Sequence, residues 1–421
     1  MDLDDMYIGS SNLNSLSHYL AKISKKEDKL SETFLDGIKM NCMRSLRDFD
    51  FGKDNDDPFY QRLSQRDKEM IACEFKKEED YMRWVKQYVT RNIKSYAIRE
   101  EKHLRDPLNV GETVLSTLDV TYHPNSRIMP TIKAHCPNLE DFALGFKEIT
   151  SQDFENCFSN MSSLEWLSIH WVCEKTLPMT LAKSIEQIGG WLKHFVLACA
   201  LEFDIFLPDL MAPVFPRLIA LETLYIWKYA LSQLLLQSIG EMKNLSDLQL
   251  VSRWPKNHPM SDTKIDMYPI GNLENLESLL IDCDYGITDE FLINLCNNAK
   301  KLITLYIFGK NITDTGMAAI NNLKKLEDFD LGLTYSSYIQ RSVTNEFITD
   351  ESIQCLRNQE LKKLNISNCI NVTGKSVLEL VKNLPKLKEY SIKNTKITPE
   401  DLREIYRAER KRDEPIEVHD D

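Results

Sequence analysis

Ten times along the chain a leucine opens a hexad whose first, fourth and sixth positions are apolar while the others vary. The copies are LEDFAL at Leu139, LEWLSI at Leu164, LKHFVL at Leu192, LETLYI at Leu221, LSDLQL at Leu245, LESLLI at Leu276, LITLYI at Leu302, LEDFDL at Leu326, LKKLNI at Leu361 and LKEYSI at Leu387. An earlier copy, LSTLDV, begins at Leu115. Alternation of apolar and variable residues at the end of each hexad predicts a strand with one buried face. Several hexads are followed by a second pattern: ITDEFLINL from Ile287, ITDTGMAAI from Ile312, ITDESIQCL from Ile348, VTGKSVLEL from Val372 and ITPEDLREI from Ile397. Each places a threonine (Thr288, Thr313, Thr349, Thr373, Thr398) before residues suited to the first turn of a helix. Threonine caps helix N-termini, acidic neighbours favour the helix dipole, and Pro399 suits the first helical position. Apolar residues then recur at three and four, so each helix buries one side. One unit therefore reads strand, turn, helix, return.

Successive hexads start 24 to 35 residues apart. A period in the twenties with an L-x-x-L-x-L core is the signature of leucine-rich repeats. The expected fold is an α/β leucine-rich-repeat solenoid. Strands pack about 4.8 Å apart and helices about 10 Å apart, so the strand side should become the concave wall of a horseshoe. That wall is where repeat proteins present their binding surface. The expected repeat domain covers residues 107–406, with about ten or eleven repeats, and residues 407–421 read as a charged tail.

Two stretches, LKKLNISNCINVTGKSVLELVKNLPKL and LESLLIDCDYGITDEFLINLCNNAKKL, resemble the cysteine-containing subfamily of leucine-rich repeats. Its pattern is similar to L-x-x-L-x-L-x-x-C-x-x-I-T-D-x-x-L, and HCPNL at His135–Leu139 resembles its C-P-x-L opening. The resemblance implies that Cys369, Cys283 (one residue early) and, in a weaker repeat, Cys199 turn inward and help satisfy backbone groups between coils. It also implies a similarity to the repeat half of F-box proteins, the substrate-recognition subunits of cullin-based ubiquitin ligases. In the preceding region, residues 1–106, FYQRLSQRDKEMIACEFKKEEDYMRW offers Tyr60, Leu63, Ile71, Phe75 and Trp84 in an order loosely similar to an F-box, around residues 59–95. The Leu-Pro start is missing and the tryptophan comes late. A diverged F-box that binds a Skp1-type adaptor and a plain helical cap over the first coil both remain open readings. LNSLSHYLAKI and FLDGIKMNCMRSL, further upstream, read as amphipathic helices.

Composition narrows the function. With 43% hydrophobic and 28% charged residues the chain is globular, and its net charge of −12 argues against general nucleic-acid binding. No apolar run reaches the length needed to span a bilayer, and the acidic start MDLDDMYIGSSNL lacks a secretory core, so a cytoplasmic or nuclear protein is expected. The ten cysteines are scattered without C-x-x-C pairs, which reads as reduced and mostly buried thiols rather than a disulfide framework or zinc site. No nucleotide-binding loop, metalloprotease motif or nucleophile elbow occurs, and no cofactor is implied. The informative residues are therefore the outward strand positions: Trp166, His170, Tyr225, Trp227, Leu280, Tyr306 and Phe308. Large aromatics on a face that need not be buried suggest a protein-contact surface. Two long repeats add candidate rim contacts at Trp254, Tyr268, Tyr335, Tyr338 and Arg341. The expectation is a non-catalytic interaction protein, a substrate receptor of an SCF-type ligase or else a scaffold or inhibitor without that link.

Overall fold

The computed structural model describes residues 95–97, 116–201, 204–255, 264–334, 343–409 and 416–419. They divide between Lys175 and Thr176 into two compact units. The first contains strands β1 (Ser95–Ala97), β2 (Thr117–Asn125), β3 (Asp141–Glu148) and β4 (Trp166–Trp171), paired in parallel in that order. In the second, the main strands are β5 (His194–Cys199), β7 (Thr223–Trp227), β9 (Asp247–Ser252), β10 (Ser278–Cys283), β11 (Thr304–Ile307), β12 (Asp328–Asp330), β14 (Lys363–Asn365), β16 (Glu389–Ser391) and β17 (Glu417–His419). Each pairs in parallel with the next. Short accessory pairs join β6 (Ile205–Phe206) to β8 (Tyr229–Ala230) and β13 (Asn345–Thr349) to β15 (Cys369–Asn371). Both units are α/β leucine-rich-repeat arrays.

The hexad sets the core. Its opening leucines, from Leu139 to Leu387, are all buried, as are the fourth residues such as Phe142, Leu224, Leu279 and Tyr390 and the sixth such as Ile169, Ile226 and Ile392. The register stacks like on like: Leu224 opposite Leu248, Leu248 opposite Leu279, Leu279 opposite Leu305. Each such side chain contributes about 1.5–3 kcal/mol by leaving water. Backbone groups at the strand starts are shared between neighbouring coils. The carbonyl of Glu222 accepts N–H bonds from Ser246 (2.8 Å) and Asp247 (3.0 Å), Ser246 accepts from Glu277 and Ser278, and Glu277 accepts from Ile303 and Thr304.

A second ladder runs through the I-T-D turns. Asp289 accepts from the backbone N–H (2.9 Å) and hydroxyl (2.5 Å) of Thr313 in the next coil. Asp314 does the same for Thr349 (2.9 and 2.6 Å), and Asp350 for Thr373 (2.7 and 2.6 Å). Thr288, Thr313 and Thr349 also cap their own helices by accepting from Phe291, Thr315 and Glu351 N–H groups. Thr373 makes no such side-chain cap. The ladder stops where Gly374 stands in place of the aspartate, because a side chain there would collide with Asp401. Asp401 instead closes a local box with Thr398, accepting from its N–H (2.8 Å) and hydroxyl (2.8 Å) and donating its own N–H back (3.2 Å).

Cys199, Cys283 and Cys369 are all buried, the inward placement that the resemblance implies, and the position has an asparagine counterpart. Asn345 pairs with Cys369 in the β13–β15 register. Fully buried, its amide donates to Gly309 and Ile312 carbonyls of the preceding coil (2.8 Å each), and its oxygen accepts from Phe347 and Ile348. Cys283 is buried and donates to the Leu250 carbonyl across one coil (3.5 Å). Burial pushes the Cys283, Cys296 and Cys369 thiols up to about 12. Cys355 is the exposed exception among the described cysteines.

Three features depart from the expectation. Not every repeat returns through an α-helix: Asp209–Met211, Phe215–Arg217 and Tyr268–Asn272 are 3-10 turns. Pro208, Pro213, Pro216 and Pro269 punctuate these stretches, and proline removes the N–H that a continuing α-helix needs. Ser95–Ala97, placed in a helical region by the sequence pattern, form β1 instead. The charged tail contains β17, which pairs Val418 with Tyr390 and brings Ile416 into the core at 8% exposure, so the array extends past residue 406.

Two outcomes follow from these contacts. Leu364→Asp places a charge in the core between Phe329 and Tyr390, and urea unfolding should show a loss of about 3 kcal/mol or more, whereas outward Thr304→Lys should change stability by under about 0.5 kcal/mol. For Asp314, burial alone would raise the carboxyl, but the Ser352 and Thr349 hydroxyls and backbone N–H groups outweigh it and hold the group below its ordinary 3.8. A carboxylate depressed in the folded state stabilises fully above its unfolded pKa and loses that contribution as pH falls through the folded value. Asp314→Asn should therefore cost about 1–3 kcal/mol at pH 7, and the gap to the wild type should shrink steadily in melts below pH 4.

Candidate binding face of the strands

The strand parity that buries Leu224 and Ile226 turns Tyr225 and Trp227 outward, and both are half-buried. Their rings stack at 5.8 Å between centroids and 13° between planes. The Tyr225 hydroxyl donates to Asp247 Oδ2 on β9 (2.6 Å), which fixes the ring. Burial and that carboxylate raise the phenol pKa, so it stays a proton donor. The register continues the same row across the second unit: Tyr225, Gln249, Leu280, Tyr306, Asp330 and Asn365. Leu280 and Tyr306 are half-buried on this face, as expected from the alternation. Tyr306 is raised by burial and by Asp282 and Asp330. Gly332, at φ +61°, lets the chain after β12 pass against the Tyr306 ring, where a side chain would collide with it.

At the C-terminal end of the strands the face is closed. Phe308, expected outward and open, is only 7% exposed. The Arg253 guanidinium lies 5.8 Å over its ring. Arg253 is in turn fixed by Asp282: one amino group meets Asp282 Oδ1 (2.8 Å) and the other the Asp282 carbonyl (2.6 Å). The long loop that was expected to supply rim contacts thus covers Phe308. Trp254 belongs to the same cover. It is half-buried, its N–H donates to Asp284 Oδ1 (2.8 Å), and its ring meets Phe206 edge-on at 4.9 Å and Tyr285 at 4.7 Å. Tyr285 receives the Leu231 N–H (3.2 Å), which ties this aromatic group to the residue just ahead of the N-cap of the helix Gln233–Gly240.

Tyr268 is exposed, but it is not on the rim of the strand face. It opens the 3-10 turn that packs against the helix Asp289–Asn298, and its carbonyl accepts from the Asn294 amide (3.0 Å). The segment after β9 uses this turn as its return element, which carries the tyrosine into the helical layer. Tyr335, Tyr338 and Arg341 lie outside the described residues, as do Tyr60, Leu63, Ile71, Phe75 and Trp84.

The first unit has its own outward face. Trp166 is half-buried and donates its indole N–H to Ser168 Oγ (3.3 Å). His170 is half-buried too; burial lowers its pKa, which favours the neutral ring, against a smaller opposing effect of Asp119. Gly145 makes room for the His170 carbonyl on the adjacent strand. Asp141 is raised by burial and by Asp119, which itself accepts from the N–H (2.8 Å) and hydroxyl (2.6 Å) of Thr121.

The sequence reading missed the acidic members of the second unit's face: Asp247, Asp282, Asp328 and Asp330. The parity that selected Tyr225 selects them equally, but it was applied only to large side chains. Arg253 carried no such signal, since a loop residue has no periodicity to place it.

No protein-family model matches the chain, and no curated protein matches it in sequence. Solved structures similar to it include an internalin, InlF, from Listeria monocytogenes, at 14% identity over 80% of this chain and 84% of that one, with a TM-score of 0.49. A leucine-rich-repeat protein of Leptospira interrogans aligns at 15% identity over 77% and 88%, with a TM-score of 0.42. The yeast Rad7–Elc1 complex supplies a third, at 15% identity over 93% of this chain and 96% of that one, with a TM-score of 0.42. These neighbours are leucine-rich-repeat proteins, and the likeness is one of fold.

Proposed function

We propose that the chain is a non-catalytic protein-binding subunit whose second unit holds a protein partner against the outward strand face. The observation that supports this most is the stacked Tyr225–Trp227 pair. It sits outside the leucine core, yet its orientation is fixed by stacking and by the Asp247 hydrogen bond. Rigid, amphipathic rings already locked in place lose little entropy when a partner covers them, and such rings dominate interface energetics. The leucine core uses the opposite side of each strand, so these outward rings are not needed to fill it.

The finer reading is a substrate receptor of an SCF-type ubiquitin ligase, cytoplasmic or nuclear. It rests on the similarity of the Cys369 repeat to the cysteine-containing subtype and on the order of Tyr60, Leu63, Ile71, Phe75 and Trp84. In this reading the N-terminal residues bind a Skp1-type adaptor and the strand face binds the target. A scaffold or inhibitor would use the same strand face without the adaptor.

Two measurements separate these readings. Affinity purification of the full chain, with Trp227→Ala and Tyr306→Ala beside it, should return a partner whose affinity falls by about 1–3 kcal/mol in each variant. Tyr268→Ala, in the helical layer, should leave that partner unchanged; equal loss from Tyr268→Ala, or none from either face variant, would move the binding surface elsewhere. Purified Skp1-type adaptor should bind the full chain and lose binding on Ile71→Asp with Phe75→Asp while the strand-face partner is retained. Absence of adaptor binding with the partner still captured leaves the scaffold.

A further inference from the structure

The outward face of the second unit carries charge as well as rings. Asp247 on β9 and Asp328 on β12 share one register row, through Ser278 and Thr304. Three strand steps separate them, roughly 14 Å at the usual spacing, which about four residues of extended chain can span. Asp330 lies in the adjacent row beside Tyr306. Leu280 and Tyr306 occupy the floor between the carboxylates, with Tyr225 and Trp227 on one side.

The basic side chains of this face are already committed. Lys363 is bonded to Glu389 at 2.7 Å, and Arg253 to Asp282 at 2.8 Å. Among the described residues no ion pair reaches Asp247, Asp328 or Asp330. Asp247 accepts from Tyr225 through one oxygen, and its other oxygen has no hydrogen-bond partner among the described residues. Among the described residues Asp330 accepts from the Gly332 N–H (2.6 Å) and the Asn365 amide (3.0 Å). Burial, with the negative charge of Asp328, holds the Asp330 carboxyl above its ordinary range; burial and Glu389 do the same for Asp328, against the opposing positive charge of Lys363 at the next register position. An incoming cation would relieve that repulsion.

We propose that this face binds an extended, arginine-bearing segment of a protein partner, its guanidinium groups on Asp247 and on Asp328 with Asp330, its aliphatic stems and intervening residues on Leu280, Tyr306 and the Tyr225–Trp227 stack. The inference rests on the strand-face reading above and adds the chemistry of the occupant. Arginine fits better than lysine because its planar group pairs two-pronged with a carboxylate and also stacks on an aromatic face. A neutral apolar segment would leave these carboxylates desolvated and uncompensated, and an acidic one would add repulsion.

Fluorescence anisotropy with the full chain tests it. The probes are a labelled peptide of about twelve residues with arginine at every fourth position and neutral residues between, and the same peptide with glutamate in place of arginine. The arginine peptide should bind about tenfold or more tightly than the glutamate one, and its affinity should fall with salt. Asp328→Asn with Asp330→Asn is nearly isosteric and keeps an acceptor for Gly332; it should weaken binding at least about fivefold, as should Trp227→Ala. Glu241→Gln with Glu290→Gln removes the same formal charge from exposed helical-layer positions and should leave affinity unchanged. Equal binding of both peptides, or equal weakening by the two charge-removing pairs, overturns the inference. A natural partner lost with Trp227→Ala but indifferent to Asp328→Asn with Asp330→Asn also overturns it while keeping the strand-face reading. A partner unaffected by every face variant overturns both.

Discussion

A coil of this protein cannot satisfy its own backbone. The carbonyl before each strand takes two N–H groups from the next coil, the aspartate of one I-T-D turn takes the N–H and hydroxyl of the next threonine, and buried Asn345 and Cys283 reach back to carbonyls of the coil before. An unpaired buried backbone group costs as much as a lost hydrogen bond, so a coil is stable only while its neighbours are in place. The buried part of this coupling lies on the core side and in the turns. The outward strand positions lie outside the leucine core, and there the stacked aromatics and carboxylates accumulate.

Periodicity made the repeat legible. A leucine at hexad position one and apolar residues at four and six describe a buried strand face at every copy, and the threonine-aspartate turns mark where helices begin. Other parts were hidden because they depend on non-periodic contacts. Asn345 stands opposite Cys369 and is buried like it, but the long stretch after Leu331 moves it out of the expected spacing. Phe308 obeys the outward parity and is nonetheless covered, because Arg253 reaches over it from a loop. Tyr268 was placed by its distance along the chain from β9, whereas Pro269 and the 3-10 turn carry it into the other layer. The acidic half of the face could have been read from parity alone had charge been given the weight of size.

Carboxylates are used in two opposite ways. Asp314 is surrounded by donors and sits below its ordinary range, so its ionisation strengthens the fold at neutral pH. Asp328 and Asp330 are half-buried near other acids and sit above it, so their ionisation opposes the fold at neutral pH and that opposition fades as pH falls through the raised values. Tension of this second kind is tolerated where a ligand can remove it, which is why the same residue type reads as framework in the turns and as binding surface on the strands.

The last strand has a role beyond pairing. A parallel sheet that ended at β16 would present Glu389–Ser391 with unpaired N–H and C=O groups, a template on which another chain could add a strand. Glu417–His419 occupies that position, and the His419 ring lies between the carboxylates of Glu389 (3.4 Å) and Glu417 (3.7 Å). A short strand bearing charged side chains is a poor partner for further addition. Among the described residues β17 is the last strand of the sheet, and its charge makes that edge a poor template for edge-to-edge aggregation.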